Sequence, residues 1–317
     1  MFNKHSRIYI AGHTGLIGSA FDRVLSERGY TSLLKRTHSD LELTDSIEVD
    51  RFFEETKPEY VILTAGKVGG IHQNQATPAT FIDTNLSIQL NVLKAAHRAG
   101  VERLVLFGSS CMYPRDCPQP MAETALLTGH PEPTSLAYAI SKLAGVQLCH
   151  AYNKQYESKR FIPVIPNSAY GPNDNFDSGV GHVLSALMAR MHHAKKDGLD
   201  KVVLWGTGSA KREFIHADDI AKAVLHLLVM PELNIDFPVN IGSGTDYEIR
   251  ELAAAIAQTV GYKGALEWDT TKPDGAPRKL LDSGRLRDTG WAPDVEFKDG
   301  LADTYKWFLT NGLGREG

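Results

Sequence analysis

A short apolar run, Arg7 to Ala11, ends in Gly12-His13-Thr14-Gly15-Leu16-Ile17-Gly18 and passes directly into an amphipathic stretch. A strand that turns on glycine into a helix commits the chain to strand–helix units, because the following strand has to cross back parallel to the first. The pattern repeats. Apolar runs at Ser32–Lys35, Tyr60–Thr64, Arg103–Gly108 and Phe161–Pro166 predict further strands, and Gly15–Arg28, Ser46–Glu55, Pro78–Ala99 and Leu136–Tyr156 predict the helices between them. The fold class that follows is α/β, a doubly wound parallel sheet of the Rossmann type.

From about Gly171 the pattern loosens. Strands are expected at Val202–Trp205 and Val239–Ile241, helices at Val183–His193 and Ile249–Val260, with long loops between them. The acidic pair Asp218-Asp219 opens an apolar-faced helix, so Ala210–Leu228 is expected to return to the sheet. The partition expected is a dinucleotide-binding domain at residues 1–170 with a returning segment near 210–240. A smaller C-terminal α/β substrate domain would take 171–209 and 241–317.

Composition excludes several classes of function. A net charge of -4 with scattered basic residues gives nucleic acid no patch to bind, and the longest apolar runs are strand-sized, too short to span a membrane. The polar start Met1-Phe2-Asn3-Lys4-His5-Ser6-Arg7 does not read as a signal peptide, so a soluble, cytoplasmic protein is expected. Three cysteines, Cys111, Cys117 and Cys149, are too few and too irregular for a disulfide framework or a zinc site, and no metal is expected.

The glycine loop fits a dinucleotide. Gly12 makes the tight turn, Gly15 admits a pyrophosphate against the backbone, and Gly18 lets helix and strand pack closely. The second strand ends in Lys35-Arg36 where an acidic residue would accept bonds from a ribose diol; cations there suit a 2′-phosphate and favour NADP, or are solvated surface charges. Asp45 either faces the adenine or caps the next helix.

Tyr138 and Lys142, four apart, lie on one helical face, which lets an ammonium act on a phenol. Ser109 and Cys111 close a preceding strand and add a hydroxyl and a thiol to the same neighbourhood. Two proton-handling devices in one site suggest two reactions. Taken alone, Cys111 is equally a small buried hydrophobe.

Together these motifs resemble the extended short-chain dehydrogenase/reductase family of nucleotide-sugar epimerases and reductases. The resemblance is carried by Ala11-Gly12-His13, Lys67-Val68-Gly69-Gly70-Ile71, Gly108-Ser109-Ser110-Cys111-Met112-Tyr113-Pro114 and Tyr138-Ala139-Ile140-Ser141-Lys142. It continues through Tyr170-Gly171-Pro172-Asn173-Asp174-Asn175-Phe176, His182-Val183, Arg212-Glu213-Phe214-Ile215-His216 and the run from Lys272 to Asp282. What it implies is NADPH-dependent 3,5-epimerisation and 4-reduction of GDP-4-keto-6-deoxymannose. The alternatives are the same chemistry or reduction alone on another GDP-4-keto sugar, or a non-catalytic NADP-binding regulator.

Carried over position by position, the resemblance implies Ser109, Cys111, Tyr138, Lys142 and His182 as catalytic residues, with Cys111 the base and His182 the acid. It implies cofactor contacts from Gly12, Thr14, Gly15, Leu16, Ile17, Gly18, Lys35, Arg36, Asp45, Ala65, Lys67, Lys142, Pro166, Ser168, Ala169 and His182. Ser110, Asn167, Arg190, Trp205, Arg212, Asp274 and Lys279 would hold the GDP-sugar. A homodimer joined through the helices near Pro78–Ala99 and Leu136–Tyr156 is also implied. The chain departs from the family pattern at Thr14, where arginine is frequent, at Asn167-Ser168-Ala169, and at Gly179-Val180-Gly181.

Overall fold

The structure is a computed structural model that describes residues 2–177, 181–230, 236–272 and 274–312. Gly179 and Val180, one of the departures above, lie outside the described residues. The first half runs β1 (Ile8–Ala11), α1 (Leu16–Glu27), β2 (Leu33–Leu34), α2 (Ser46–Thr56), β3 (Tyr60–Leu63), α3 (Ile71–Ala76), α4 (Pro78–Arg98), β4 (Arg103–Phe107), α5 (Leu136–Gln155) and β5 (Phe161–Pro166). Next come β6 (Ser168–Tyr170), α6 (Val183–Lys196), β7 (Lys201–Trp205), β8 (Lys211–His216), α7 (Ala217–Val229) and β9 (Val239–Ile241). The chain ends with β10 (Asp246–Glu248), α8 (Ile249–Val260), β11 (Ala265–Asp269), β12 (Arg278–Lys279), α9 (Gly284–Arg287) and α10 (Phe297–Trp307).

Six strands form one sheet in the order β2-β1-β3-β4-β5-β9, every neighbouring pair parallel. Side chains alternate between its two faces, as a period of two requires. Ile8, Ile10, Ile62, Val105 and Phe107 enter the core beneath α1 and α7, while Tyr9, Ala11, Val61, Leu63, Leu104 and Leu106 enter the core beneath α2, α4 and α5. Because β2 and β3 lie on opposite sides of β1, the strand order reverses there and leaves a crevice at the carboxyl ends of β1 and β3.

A third core gathers α6, α8 and α10 around Leu187, Met188, Leu252, Ile256 and Phe308. Beside it β8 pairs with β6, β10 and β12 in a small mixed sheet, and β7 pairs with β11. So the expected return of Ala210–Leu228 splits in two: α7 packs on the main sheet, but β8 belongs to the small one. Leu281, Leu286 and Trp291, from the segment expected in the second domain, pack into the two cores flanking the main sheet. The second strand, expected over Ser32–Lys35, contracts to Leu33–Leu34, since β1 offers it a partner over only those positions.

A tight backbone constraint lies at the first turn. Gly12 has φ of 87°, and a Cβ on Gly18 would lie 2.0 Å from the Gly12 carbonyl oxygen, which belongs to backbone that cannot yield. Gly18→Ala is expected to destabilise the fold by at least about 1–3 kcal/mol, read as a lower midpoint in urea denaturation.

Candidate active site

The glycine loop supplies an uncapped helix start. Gly15 precedes α1 in extended backbone with no side chain capping the first-turn amides, and a Cβ built on it would meet nothing closer than the Gly12 oxygen at 3.5 Å. Nothing among the described residues requires glycine at this position. The open space and the free amides fit a diphosphate, with Thr14, Leu16 and Ile17 beside it. Ala65 crosses from β3 to donate its amide to the Ala11 carbonyl at 2.9 Å, closing the other wall of the crevice.

The two cations after β2 differ in availability. Lys35 is engaged with both oxygens of Asp22, at 2.9 and 3.0 Å, whereas Arg36 is exposed and, among the described residues, bonded only to the Lys35 carbonyl while lying over Phe52. Lys35 thus already neutralises a helix carboxylate, and Arg36, with no carboxylate partner among the described residues, is the more available of the two for a phosphate. Asp45 caps α2, accepting the amides of Ile47 and Glu48 at 2.8 and 3.2 Å, which fixes its carboxylate in a structural role.

At the end of β4 the Ser109 side chain accepts the Cys111 amide at 3.3 Å, holding the thiol at the start of a short helical turn. Ser110 and Cys111 line a cleft with Tyr113, Gln119, Arg278 and Lys279. On α5, Lys142 is buried and its Nζ sits 5.9 Å from the Tyr138 ring centroid. Burial raises the Tyr138 phenol above its ordinary range; the negative charge of a Cys111 thiolate would push it further, and the Ser109 hydroxyl opposes both. The same burial pulls the Lys142 ammonium down to about 8. A phenol held protonated is a proton donor.

His182 lies 2.9 Å through Nδ1 from Asp174, whose hydrogen bond lifts the imidazole above its ordinary pKa against the effect of burial. No hydrogen bond or ion pair joins His182 to Cys111 or Tyr138 among the described residues. Arg190, two turns along α6, is exposed. Trp205 is 70% exposed with Lys272 over its ring, and next to it Asp274 accepts the Thr207 amide and hydroxyl at 2.7 and 2.8 Å, which hold its carboxyl below the usual range. Arg212 and Lys279 are register partners on β8 and β12. Asn167, buried between Pro166 and Ser168, donates to the Lys279 carbonyl at 3.4 Å and to Glu213 at 2.6 Å, leaving its Oδ1 without a partner among the described residues. Ala169 packs against the core beneath α1, and Lys67 is exposed with its ammonium over Phe81.

The chain belongs to the NAD dependent epimerase/dehydratase family. The family model matches residues 8–242. The chain is 50% identical over 315 residues to GDP-L-fucose synthase 1 of Arabidopsis thaliana, covering 99% of this chain and 97% of that one. It is 46% identical to GDP-L-fucose synthase of Escherichia coli (strain K12), covering 96% and 97%. Among solved structures it is similar to a GDP-mannoheptose C4 reductase from Campylobacter jejuni with NADP bound, with a TM-score of 0.88, 35% identity and coverage of 98% and 100%.

Three residues that organise the site had no role assigned from sequence. Asn85 takes the Lys67 amide at 3.0 Å and returns its own amide to the Lys67 and Phe81 carbonyls, pinning the loop after β3. Glu213, fully buried, accepts from Asn167, from the Gly244 amide at 2.7 Å and from the Leu281 amide at 3.0 Å. Asp174 holds His182. The signal available for the first two was a polar residue on an otherwise apolar helix face or strand. Beyond Glu213, Met121 exchanges backbone bonds with Leu280 and Asp282, at 2.8 and 2.9 Å, which carries Arg278 and Lys279 to the Cys111 cleft.

Burial of the Lys142 ammonium is expected to cost the fold stability. The unfolded chain binds its proton more tightly than the folded one, so the cost from this group is full below pH about 8 and fades as pH climbs toward the unfolded value of about 10.4. Lys142→Met is expected to be more stable than wild type by about 1–3 kcal/mol at neutral pH, with the difference shrinking from pH about 8 upward in urea denaturation.

Proposed function

We propose that this protein converts GDP-4-keto-6-deoxy-D-mannose to GDP-L-fucose, inverting carbons 3 and 5 and reducing carbon 4 with NADPH. The observation that carries the reading is the proximity of an acid–base thiol, Cys111, to the protonated phenol of Tyr138. The near-half identity to GDP-L-fucose synthases over almost the whole length of both chains supports it. A reductase alone has no use for the thiol.

The ketone at carbon 4 acidifies the hydrogens on carbons 3 and 5, so a base on one face and an acid on the other invert each centre. Cys111 removes the proton and His182 returns one from the opposite side. Ser109 and Tyr138 donate hydrogen bonds to the oxygen on which the enolate charge collects. When bound, NADPH supplies the hydride for carbon 4. Tyr138 then gives its proton to the carbon 4 oxygen, and the Lys142 ammonium, still charged at neutral pH, steadies the phenolate left behind.

Gly12, Thr14, Gly15, Leu16, Ile17 and Gly18 would hold the diphosphate of the cofactor and Arg36 its 2′-phosphate. Ala65, Lys67, Lys142, Pro166, Ser168, Ala169 and His182 would line its nicotinamide half. We assign the sugar nucleotide to Ser110, Asn167, Arg190, Trp205, Arg212, Asp274 and Lys279, and so to the 171–209 and 241–317 part of the chain. A cytoplasmic homodimer through α4 and α5 completes the reading; Leu136 and Ile140, one turn apart on α5, present exposed apolar surface for it. A second reading, reduction of a GDP-4-keto heptose, is favoured by the likeness to the C4 reductase.

The test is NADPH oxidation with GDP-4-keto-6-deoxymannose, with product stereochemistry read by NMR. Wild type is expected to yield GDP-L-fucose. Cys111→Ser is expected to lose about 10²-fold or more in exchange of the carbon 3 and 5 hydrogens with deuterated water while keeping cofactor affinity. NADPH left untouched by wild type would overturn the substrate assignment, and turnover confined to a keto-heptose would favour the second reading.

A further inference from the structure

The Asp174 carboxylate has no step in the mechanism above, yet its hydrogen bonds among the described residues go to His182, to Ser185 three residues along from it and to the adjoining Asn175 amide. It is 7% exposed. Its Oδ1 accepts the Asn175 amide at 2.8 Å and faces Nδ1 of His182 at 2.9 Å. Its Oδ2 accepts the hydroxyl of Ser185, which is fully buried in the first turn of α6. These contacts leave the carboxylate one orientation. His182 stands in contrast: it precedes α6 in extended backbone, its ring makes no cap bond to the helix, and 57% of its side chain is open. A ring that donates Nδ1–H to a carboxylate presents Nε2 on its other side.

We propose that Asp174 is the positioning residue of the epimerisation acid, fixing the His182 ring so that Nε2 delivers the proton to the sugar carbon and holding the ring in its charged, donating form. This rests on the reading of His182 as that acid. In the step the Nε2–H bond breaks and its electron pair stays on nitrogen. The enolate π pair forms the new C–H bond, and the carbon 4 carbonyl is restored. The ring ends neutral with Nδ1–H still donated to Asp174, whose charge is unchanged throughout. Among the described residues Asp174 is the charged group that acts on the ring, and Ser185 is neutral. The carboxylate raises the imidazole's pKa, so the donating form persists to higher pH, and removing the charge must move the alkaline limb of epimerisation to lower pH.

Asp174→Asn keeps the size of the side chain and an acceptor for Nδ1–H but removes the charge. Two readouts are needed: the NMR titration of His182 in the protein without substrate, and the pH profile of carbon 3 and 5 hydrogen exchange into deuterated water. Expected is a lower His182 midpoint and an alkaline limb displaced by the same interval, about tenfold slower exchange for each unit of displacement, with KM for the sugar nucleotide unchanged. Ser185→Ala strips a hydrogen bond from the same carboxylate and makes it a stronger partner for the imidazolium, so the limb moves the other way; it carries the test should Asp174→Asn not fold. Limbs unmoved in the folded variants overturn the proposal, provided His182→Asn abolishes exchange. If His182→Asn exchanges as fast as wild type, the reading of His182 as the acid is what fails.

Discussion

A buried carboxylate, that of Glu213, ties together segments that are far apart in the chain. It receives N–H groups from Asn167 at the end of β5, from Gly244 after β9 and from Leu281 after β12. Burial pushes its pKa up, and those three donors are what oppose that push. A charge taken out of water needs such partners, so each donor has to be present for the others to be tolerated. Because Leu281 is held there, Arg278 and Lys279 reach the cleft of Cys111, and Asn167 is left with one free acceptor at the carboxyl edge of the sheet.

The same desolvation that makes Glu213 dependent on its donors sets the chemistry of α5. Tyr138 and Lys142 are both driven toward their neutral forms, the phenol upward and the ammonium downward. The outcome for the phenol is a firm hold on its proton, which suits the final transfer to a carbon 4 alkoxide better than it suits proton abstraction. On the proposed reading epimerisation needs its own base, and the thiol is assigned that part so that the phenol is not borrowed for it. Among the described residues no hydrogen bond joins His182 to Cys111 or Tyr138, and its partner is Asp174; the proposed reading assigns it the opposite sugar face.

Legibility in the sequence followed the range of the interactions. The strands β1, β3, β4 and β5 and the helices α1, α2, α4 and α5 fell within a residue or two of expectation, since alternation and helical periodicity are written in neighbouring residues, while the six-residue α3 was not foreseen. The small sheet of β6, β8, β10 and β12 was not foreseen, because strands of two to six residues gain their stability from partners more than thirty positions away. Lys35 shows the same limit at a single side chain. The sequence places a cation after β2, but Asp22 on α1 determines that it is already neutralised.

The chain by itself determined the fold class, the glycine turn into α1 and the tyrosine–lysine spacing on α5, all of which depend on residues within about two helical turns of each other. Tertiary structure alone decided which polar groups are spent and which are free: Lys35 and Asp45 were claimed by the scaffold, Arg36 and the Asn167 oxygen were left open, and Asp174 was brought to His182. The reason is physical. Backbone conformation is chosen locally, whereas a charge or a hydrogen-bonding group takes whichever partner the packed segments bring within about three ångströms, and that partner is settled only when the cores close.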